Sequence, residues 1–224
     1  MNEKKSITIT GASSGLGECL LNSFSKSYSI INISRTRSKC EYNIVNDFKD
    51  LLGLKLKLEK NKIEHHLCIL NAGTMGSIAS AFEVNHEEFL DALKINVLAN
   101  KIIIDWSISN GCKYFIGISS GAALKNYDGW LNYCVTKSSF RSMLLQYQKD
   151  IPKLNFKLIS PGILRTEMNK KIKSVDVNKY PDMKKFHQTP AEEPQKAAEL
   201  IFRKFSDYFK REELEIDLRN ENEW

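Results

Sequence analysis

The chain lacks any apolar run approaching the roughly 18 residues that a membrane-crossing helix requires, so no bilayer span is expected. Its opening stretch, MNEKKSITIT, passes from a polar lead straight into a strand-like run without a signal-peptide apolar core. That points to a cytoplasmic chain that engages no membrane. Cysteine is scarce and odd in number: five residues, at 19, 40, 68, 112 and 134, with no C-x-x-C pair. A disulfide framework is therefore not expected, and reduced, mostly buried thiols are. The four histidines supply no metal set; His65 and His66 are adjacent, so a strand or a helix turns them apart. No metal site is assigned. The net charge is +6, but it is spread along the chain without an arginine-rich arm or interleaved aromatics. Nucleic acid is not the expected partner. Internal repeats, low-complexity blocks and Pro/Gly-rich linkers are missing too, so a single domain over residues 1–224 is expected.

What is present alternates. Strand-like runs at 6–10, 29–34, 66–73, 113–120, 155–162 and 213–218 are separated by helix-like runs at 17–27, 49–61, 87–109, 131–150 and 194–206. Strand–helix alternation predicts an α/β fold, a single doubly wound parallel sheet of Rossmann type with helices on both faces. The nearly continuous apolar character of 66–70 and 155–159 fits strands buried on both sides. The 87–109 run reads as one long helix with a bend. Residues 163–193, irregular and rich in lysine, follow a strand end at Pro161-Gly162 and read as a lid over a ligand.

The stretch TITGASSGLGE places Gly11, Gly15 and Gly17 between the first strand and the first helix. Glycines let the backbone turn tightly and approach a phosphate closely, and the helix N-terminus behind them offers free N–H groups and a positive partial charge. A dinucleotide diphosphate is the expected ligand, held by Gly11, Ser13, Ser14, Gly15, Leu16 and Gly17. The bland alternative is a merely tight turn. At the end of the second strand, where an adenosine ribose is read, INISRTR supplies Ser34, Arg35 and, as a further candidate, Arg37, with no carboxylate. An arginine there favours a 2′-phosphate. NADP(H) is the expected cofactor, with NAD(H) possible; two solvated surface arginines are the alternative.

With these landmarks the sequence resembles the short-chain dehydrogenase/reductase family. The motifs occur in family order: TGASSGLG (10–17), NAG (Asn71, Ala72, Gly73), Asn96 in KINVLAN, Ser120 thirteen residues before Tyr133, YCVTK (133–137), and the Pro161-Gly162-Ile163 step followed by Thr166. The stretch ISSGAALKNYDGWLNYCVTK is most similar to the sepiapterin and benzil reductases of that family. The resemblance implies Asn96, Ser120, Tyr133 and Lys137 as the catalytic set. It implies that Asn71–Gly73, Pro161–Ile163 and Thr166 touch the cofactor, Thr166 at its carboxamide end, and that Asn96 holds a water linking Lys137 to solvent. Three departures stand out. About thirty residues separate Arg35 from His66, so the helix normally found between the second and third strands is expected to be missing or a single turn. The aspartate that often meets adenine is represented by Asn43 or, by another alignment, Asp47. LNAG stands where N-N-A-G is commoner, and Ser14 where many NADP enzymes carry a basic residue.

The chemistry follows from the side chains. A free tyrosine has a pKa near 10. Lys137, one helical turn on, and an oxidised nicotinamide would each favour the phenolate and lower that value. Ser120 would hydrogen-bond a substrate carbonyl oxygen as it turns alkoxide-like. The expected activity is NADPH-dependent reduction of a ketone or aldehyde of a small molecule to an alcohol, with Tyr133 as the acid. A pathway-specific dehydrogenase or reductase of an acyl-carrier or sugar-derivative substrate, and a non-catalytic NADP(H)-binding regulator, are the alternatives. Trp130 and Met168 are candidate substrate contacts beside Ser120; Trp130 could equally be a core residue. Tyr180 and Phe186 alternate with Lys170, Lys171, Lys173, Lys184 and Lys185 in the lid, a face that reads as solvated lysine before it reads as an anion funnel. A homodimer or homotetramer is expected, because Ile102, Ile103, Ile104 and Trp106 offer more apolar surface than a monomer would cover.

Overall fold

A computed structural model describes residues 4–221 and 224. Seven strands, β1 (Ser6–Thr10), β2 (Ser29–Ser34), β3 (Tyr42–Val45), β4 (Leu67–Leu70), β5 (Tyr114–Ile118), β6 (Asn155–Ser160) and β7 (Glu215–Asp217), form one sheet. All pair in parallel, in the order β3-β2-β1-β4-β5-β6-β7. The order reverses between β1 and β4, which opens a crevice at the carboxyl ends of the strands where ligands bind in such sheets. The helices are α1 (Gly15–Phe24), α2 (Leu51–Lys60), α3 (His86–Leu93), α4 (Ala99–Ser109), α5 (Leu131–Asp150), α6 (Glu167–Lys173), α7 (Met183–Gln188) and α8 (Pro194–Tyr208).

Strand periodicity divides the core into two layers. Side chains alternate across a strand, so Ile7, Ile9, Leu67, Ile69, Ile116 and Ile118 face α1 and α8, meeting Leu20, Phe24, Ile201 and Phe205. Their neighbours Ile31, Ile33, Cys68, Leu70, Phe115 and Phe156 face the other way, onto Leu54 and Leu58 of α2, Ile103 and Ile104 of α4, and Phe140 and Leu144 of α5. Both faces are apolar because both are covered, which is why β4 has no polar position.

Several expectations needed correction. The single helix at 87–109 is interrupted by a wide, π-type turn at Lys94–Leu98, closed by Ala99 N–H donating to the Lys94 carbonyl. Ile103, Ile104 and Trp106 are buried by the chain's own α2 and sheet, and Ile102 is half-buried, so these residues form core rather than a sticky face. The apolar side chains left exposed nearby are Leu90, Leu98 and Val135. Residues 163–193 are more regular than expected and contain α6 and α7. The segment is pinned at its base, where Arg165 N–H donates to Glu192 O at 2.8 Å and Glu192 N–H to Ile163 O at 2.9 Å. The anticipated gap is there: residues 35–41 join β2 to β3 without a helix. Among the described residues no helix is long and apolar enough to cross a membrane. All five cysteines are free thiols.

Candidate active site

The glycine turn sits at the mouth of the crevice. Gly11 and Gly15 adopt φ of +70° and +56°, conformations that side-chain-bearing residues resist. Gly17 is needed for space: a Cβ there would fall 2.1 Å from the Gly11 carbonyl oxygen. The turn is locked to the end of β4, where Asn71 and Ala72 N–H groups both donate to Thr10 Oγ1 at 2.9 Å and Asn71 Nδ2 donates to Thr10 O at 3.0 Å. Asn71 thus braces two strand ends. Ser14 stands at the N-cap of α1 with its hydroxyl unbonded to the helix, leaving the first-turn N–H groups to face outward. Thr166 approaches the same place, its methyl 3.7 Å from a Cβ built on Gly15. Its hydroxyl caps α6 by accepting from Asn169 N–H at 3.4 Å. Pro161 is buried, Gly162 and Ile163 are half-buried, and Gly162 turns with φ of +76°. Ser13 and Ser14 are accessible while Leu16 packs inward. The turn, the helix start and the sequence after β6 therefore form one cradle, and the glycines leave the space that a diphosphate needs.

The polar residues of the second cluster lie around the N-terminal half of α5. Tyr133 and Lys137 are both buried, and the Lys137 ammonium sits 5.7 Å from the centre of the Tyr133 ring. Lys137 Nζ donates to Ile118 O at 2.8 Å, anchoring it to the end of β5. Ser120 follows β5 and accepts at Oγ from Ala122 N–H at 3.2 Å. Burial pushes the Tyr133 phenol up to about 12, partly opposed by a hydrogen bond with Ser120. Burial also holds Lys137 down to about 8. In the protein alone, then, burial outweighs any lowering by Lys137, and the tyrosine keeps its proton; this reverses the direction read from the sequence.

Asn96 lies in the wide turn at Lys94–Leu98, with its side-chain amide engaged. Its Oδ1 accepts from Thr74 N–H at 2.7 Å, and its Nδ2 donates to Thr74 O at 2.7 Å and to Thr136 Oγ1 at 2.8 Å. The side chain therefore ties the segment after β4 to α5, which leaves only its carbonyl for a water. That carbonyl already accepts from Asn100 Nδ2 at 2.9 Å. Gly73 lies between the two groups: a Cβ on it would meet Asn96 Oδ1 at 3.2 Å and Lys137 Nζ at 3.8 Å. Wide turns of this type often mark functional sites.

Above this cluster, Trp130 is part of the core. It is buried, with its ring 5.6 Å from Tyr133, 5.0 Å from Tyr127 and 4.8 Å from Phe186. Met168, Tyr180 and Phe186 of the lid pack onto the same apolar group, whereas Lys170 and Lys173 point to solvent. Tyr127 was missed in the sequence. Its hydroxyl lies 3.3 Å from a Cβ built on Gly121, next to Ser120. Its place in KNYDGW, three residues before Trp130, was the available signal. Thr136 was missed as well, since only the fold brings it to Asn96. Asn43 is inside β3 with its side chain turned to the preceding loop, and the other candidate, Asp47, follows that strand.

A glycine-lined cradle at the switch point of a parallel sheet, beside a buried tyrosine–lysine pair, defines an NAD(P)-dependent oxidoreductase. No family model matches the chain. It is 27% identical over 215 residues to benzil reductase ((S)-benzoin forming) of Bacillus cereus, covering 80% of this chain and 84% of that protein. It is 26% identical over 184 residues to 3-oxoacyl-(acyl-carrier-protein) reductase of Rickettsia prowazekii, covering 75% and 76%. Its fold superposes on that of a short chain dehydrogenase from Shigella flexneri complexed with NADP, with a TM-score of 0.80, 16% identity and coverage of 97% and 98%. The fold is that of the short chain dehydrogenases among solved structures.

Proposed function

We propose that the protein is an NADP(H)-dependent carbonyl reductase that converts a small ketone or aldehyde to an alcohol, with Tyr133 as the acid. The observation that carries this reading is the geometry of the buried pair, with the Lys137 ammonium 5.7 Å from the Tyr133 ring centre and anchored on Ile118 O. A reductase must donate a proton to the incipient alkoxide, and a phenol pushed up to about 12 holds that proton throughout the neutral range. Ser120 hydrogen-bonds the same oxygen and stabilises the charge as it develops. Lys137, anchored on Ile118 O, would orient the cofactor ribose and help restore the Tyr133 proton. Asn96 keeps Gly73 and α5 in register, and its carbonyl is the candidate water site for that proton supply.

The dinucleotide would lie along Gly11, Ser13, Ser14, Gly15, Leu16 and Gly17, with Asn71, Ala72 and Gly73 beside it and Pro161, Gly162, Ile163 and Thr166 at its reactive end. Once bound, the cofactor supplies the hydride. NADP(H) is preferred over NAD(H) in this reading because Ser34 and Arg35 follow β2 without a carboxylate. The NADP complex of the similar Shigella fold and an NADP-dependent 3-hydroxy acid dehydrogenase of Schizosaccharomyces pombe, 24% identical over 190 residues, support that preference. The aromatic wall of Trp130, Tyr127 and Phe186, with Met168, favours an aryl or apolar ketone over an acyl-carrier substrate. We read the chain as one domain, 1–224, with 163–193 as the lid. Free thiols at all five cysteines fit a cytoplasmic setting. The exposed Leu90, Leu98 and Val135 are the surface through which a dimer or tetramer would form.

The experiment is NADPH consumption against a carbonyl panel of vicinal diketones, a pterin ketone and acyl-thioester ketones, run with Tyr133→Phe. Turnover of an aryl diketone that vanishes in the variant, with NADPH still bound, is the expected result. Retained turnover in Tyr133→Phe would overturn the assignment.

A further inference from the structure

Where a helix is absent between β2 and β3, two asparagine side chains hold the chain in place. Asn32, fully buried in β2, accepts at Oδ1 from Ala12 N–H of the glycine turn at 3.1 Å. Its Nδ2 donates to Ser34 Oγ and Asn43 Oδ1 at 2.9 Å each, and to Thr36 O at 3.3 Å. Ser34 Oγ donates to the same Thr36 carbonyl at 2.5 Å. Asn43, from β3, continues the network. Its Oδ1 accepts from Ser38 N–H at 2.8 Å, and its Nδ2 donates to Cys40 O at 3.1 Å and Ser38 O at 3.3 Å.

These bonds fix the residues on both sides of Arg35 and Arg37. Both arginines are exposed, and neither is in an ion pair among the described residues. The first carboxylate beyond them, Glu41, accepts from Ser29 Oγ at 2.8 Å at the other end of the strands. A connection of this kind, rich in polar side chains and lacking a helix, would otherwise be free to move, and ordering it on a ligand would weaken binding. The same side chain that meets the glycine turn also sets the height of the arginine loop. The two halves of an adenosine site are thereby held in one frame.

We propose that Asn32 and Asn43 are positioning residues. Together they hold the Arg35–Ser38 loop in fixed register with the glycine turn, and so set how strongly the site discriminates for a ribose 2′-phosphate. The inference rests on the reading that Arg35 recognises that phosphate. It concerns binding rather than the chemical step, because neither side chain reaches the tyrosine–lysine pair.

The test is calorimetric titration of the full-length protein with 2′,5′-ADP and with 5′-AMP, in wild type, Arg35→Ala and Asn43→Ala. Thermal melts are run alongside. Asn43 is only partly buried, which makes its truncation the gentler one; Asn32→Asp, which keeps the acceptor for Ala12 and loses the Nδ2 donor, is the second variant. Arg35→Ala should lose most of the preference for 2′,5′-ADP. Asn43→Ala and Asn32→Asp, with both arginines intact, should each reduce that preference about tenfold, the loss expected if roughly one residue must be ordered anew. An unchanged preference in both asparagine variants, alongside a loss in Arg35→Ala, overturns the positioning role and leaves the arginine reading standing. Equal weakening of both ligands with a lowered melting temperature marks a purely structural role and overturns it as well. No effect of Arg35→Ala refutes the arginine reading itself, and the inference with it.

Discussion

Lys137 should destabilise the fold it serves. Its pKa falls from the ordinary 10.5 to about 8 because it is buried, so the charged form is disfavoured in the folded state by about 3 kcal/mol at about 1.4 kcal/mol per pH unit. The sign follows from the direction. A folded pKa below the unfolded one means that the penalty is complete below pH 8 and fades as pH rises to 10.5, so this group makes stability increase with pH across that window. Replacing it by methionine removes the penalty and also one hydrogen bond to Ile118 O, worth about 1 kcal/mol. Lys137→Met should therefore be more stable than wild type at pH 7 by about 2 kcal/mol, with turnover lost. Urea denaturation of the cofactor-free protein at pH 7, 8, 9 and 10 measures this, provided that the transitions stay two-state. The comparison of variant with wild type cancels the buried thiols, and Tyr133, whose raised pKa withdraws stability only above pH 10, acts alike in both. A variant less stable at pH 7, or a stability difference that stays constant from pH 8 to 10, would refute the argument.

Gly17→Ala would put a Cβ 2.6 Å from Asn71 Nδ2 and closer still to the Gly11 backbone, so it should cost about 3 kcal/mol and abolish dinucleotide binding. Thermal melts and NADPH fluorescence titration report the two effects, and a melt at the wild-type temperature would refute the packing reading. Arg35→Asp should reverse the preference between NADPH and NADH by placing an anion where the 2′-phosphate is expected; an unchanged ratio of kcat/KM values would remove the arginine from cofactor choice. Leu98→Glu combined with Val135→Glu should convert a dimer or tetramer to monomer in light scattering, since both side chains are exposed on adjacent elements. A wild-type monomer at micromolar concentration would remove the premise.

The topology was legible in the sequence, and the candidate site could be drawn from it, because both depend on local patterns. Gly11, Gly15 and Gly17 mark a turn by their spacing, Tyr133 and Lys137 share a face by theirs, and the apolar runs of β4 and β6 announce strands covered on both sides. Even the missing helix was a matter of counting residues after Arg35. The errors came where a residue's partner is distant. Ile103 and Ile104 looked uncovered because α2, which buries them, lies more than forty residues earlier in the chain. Asn43 is joined to Asn32 of the neighbouring strand, a partner that only the sheet pairing reveals. The wide turn at Lys94–Leu98 has no signature in KINVL, because a bonding shift of one residue leaves the helical periodicity almost intact.

Electrostatics was the least legible part, and for a general reason. A sequence shows which charges are close along a helix but not how deeply they are buried, and the two influences act on Tyr133 with opposite sign. Proximity to Lys137 alone suggested a tyrosine poised to lose its proton. Burial of both residues gives a phenol that keeps its proton and an amine that holds its own weakly. That combination suits a proton donor better than a base. A bound positive ring would act against burial and lower the tyrosine pKa.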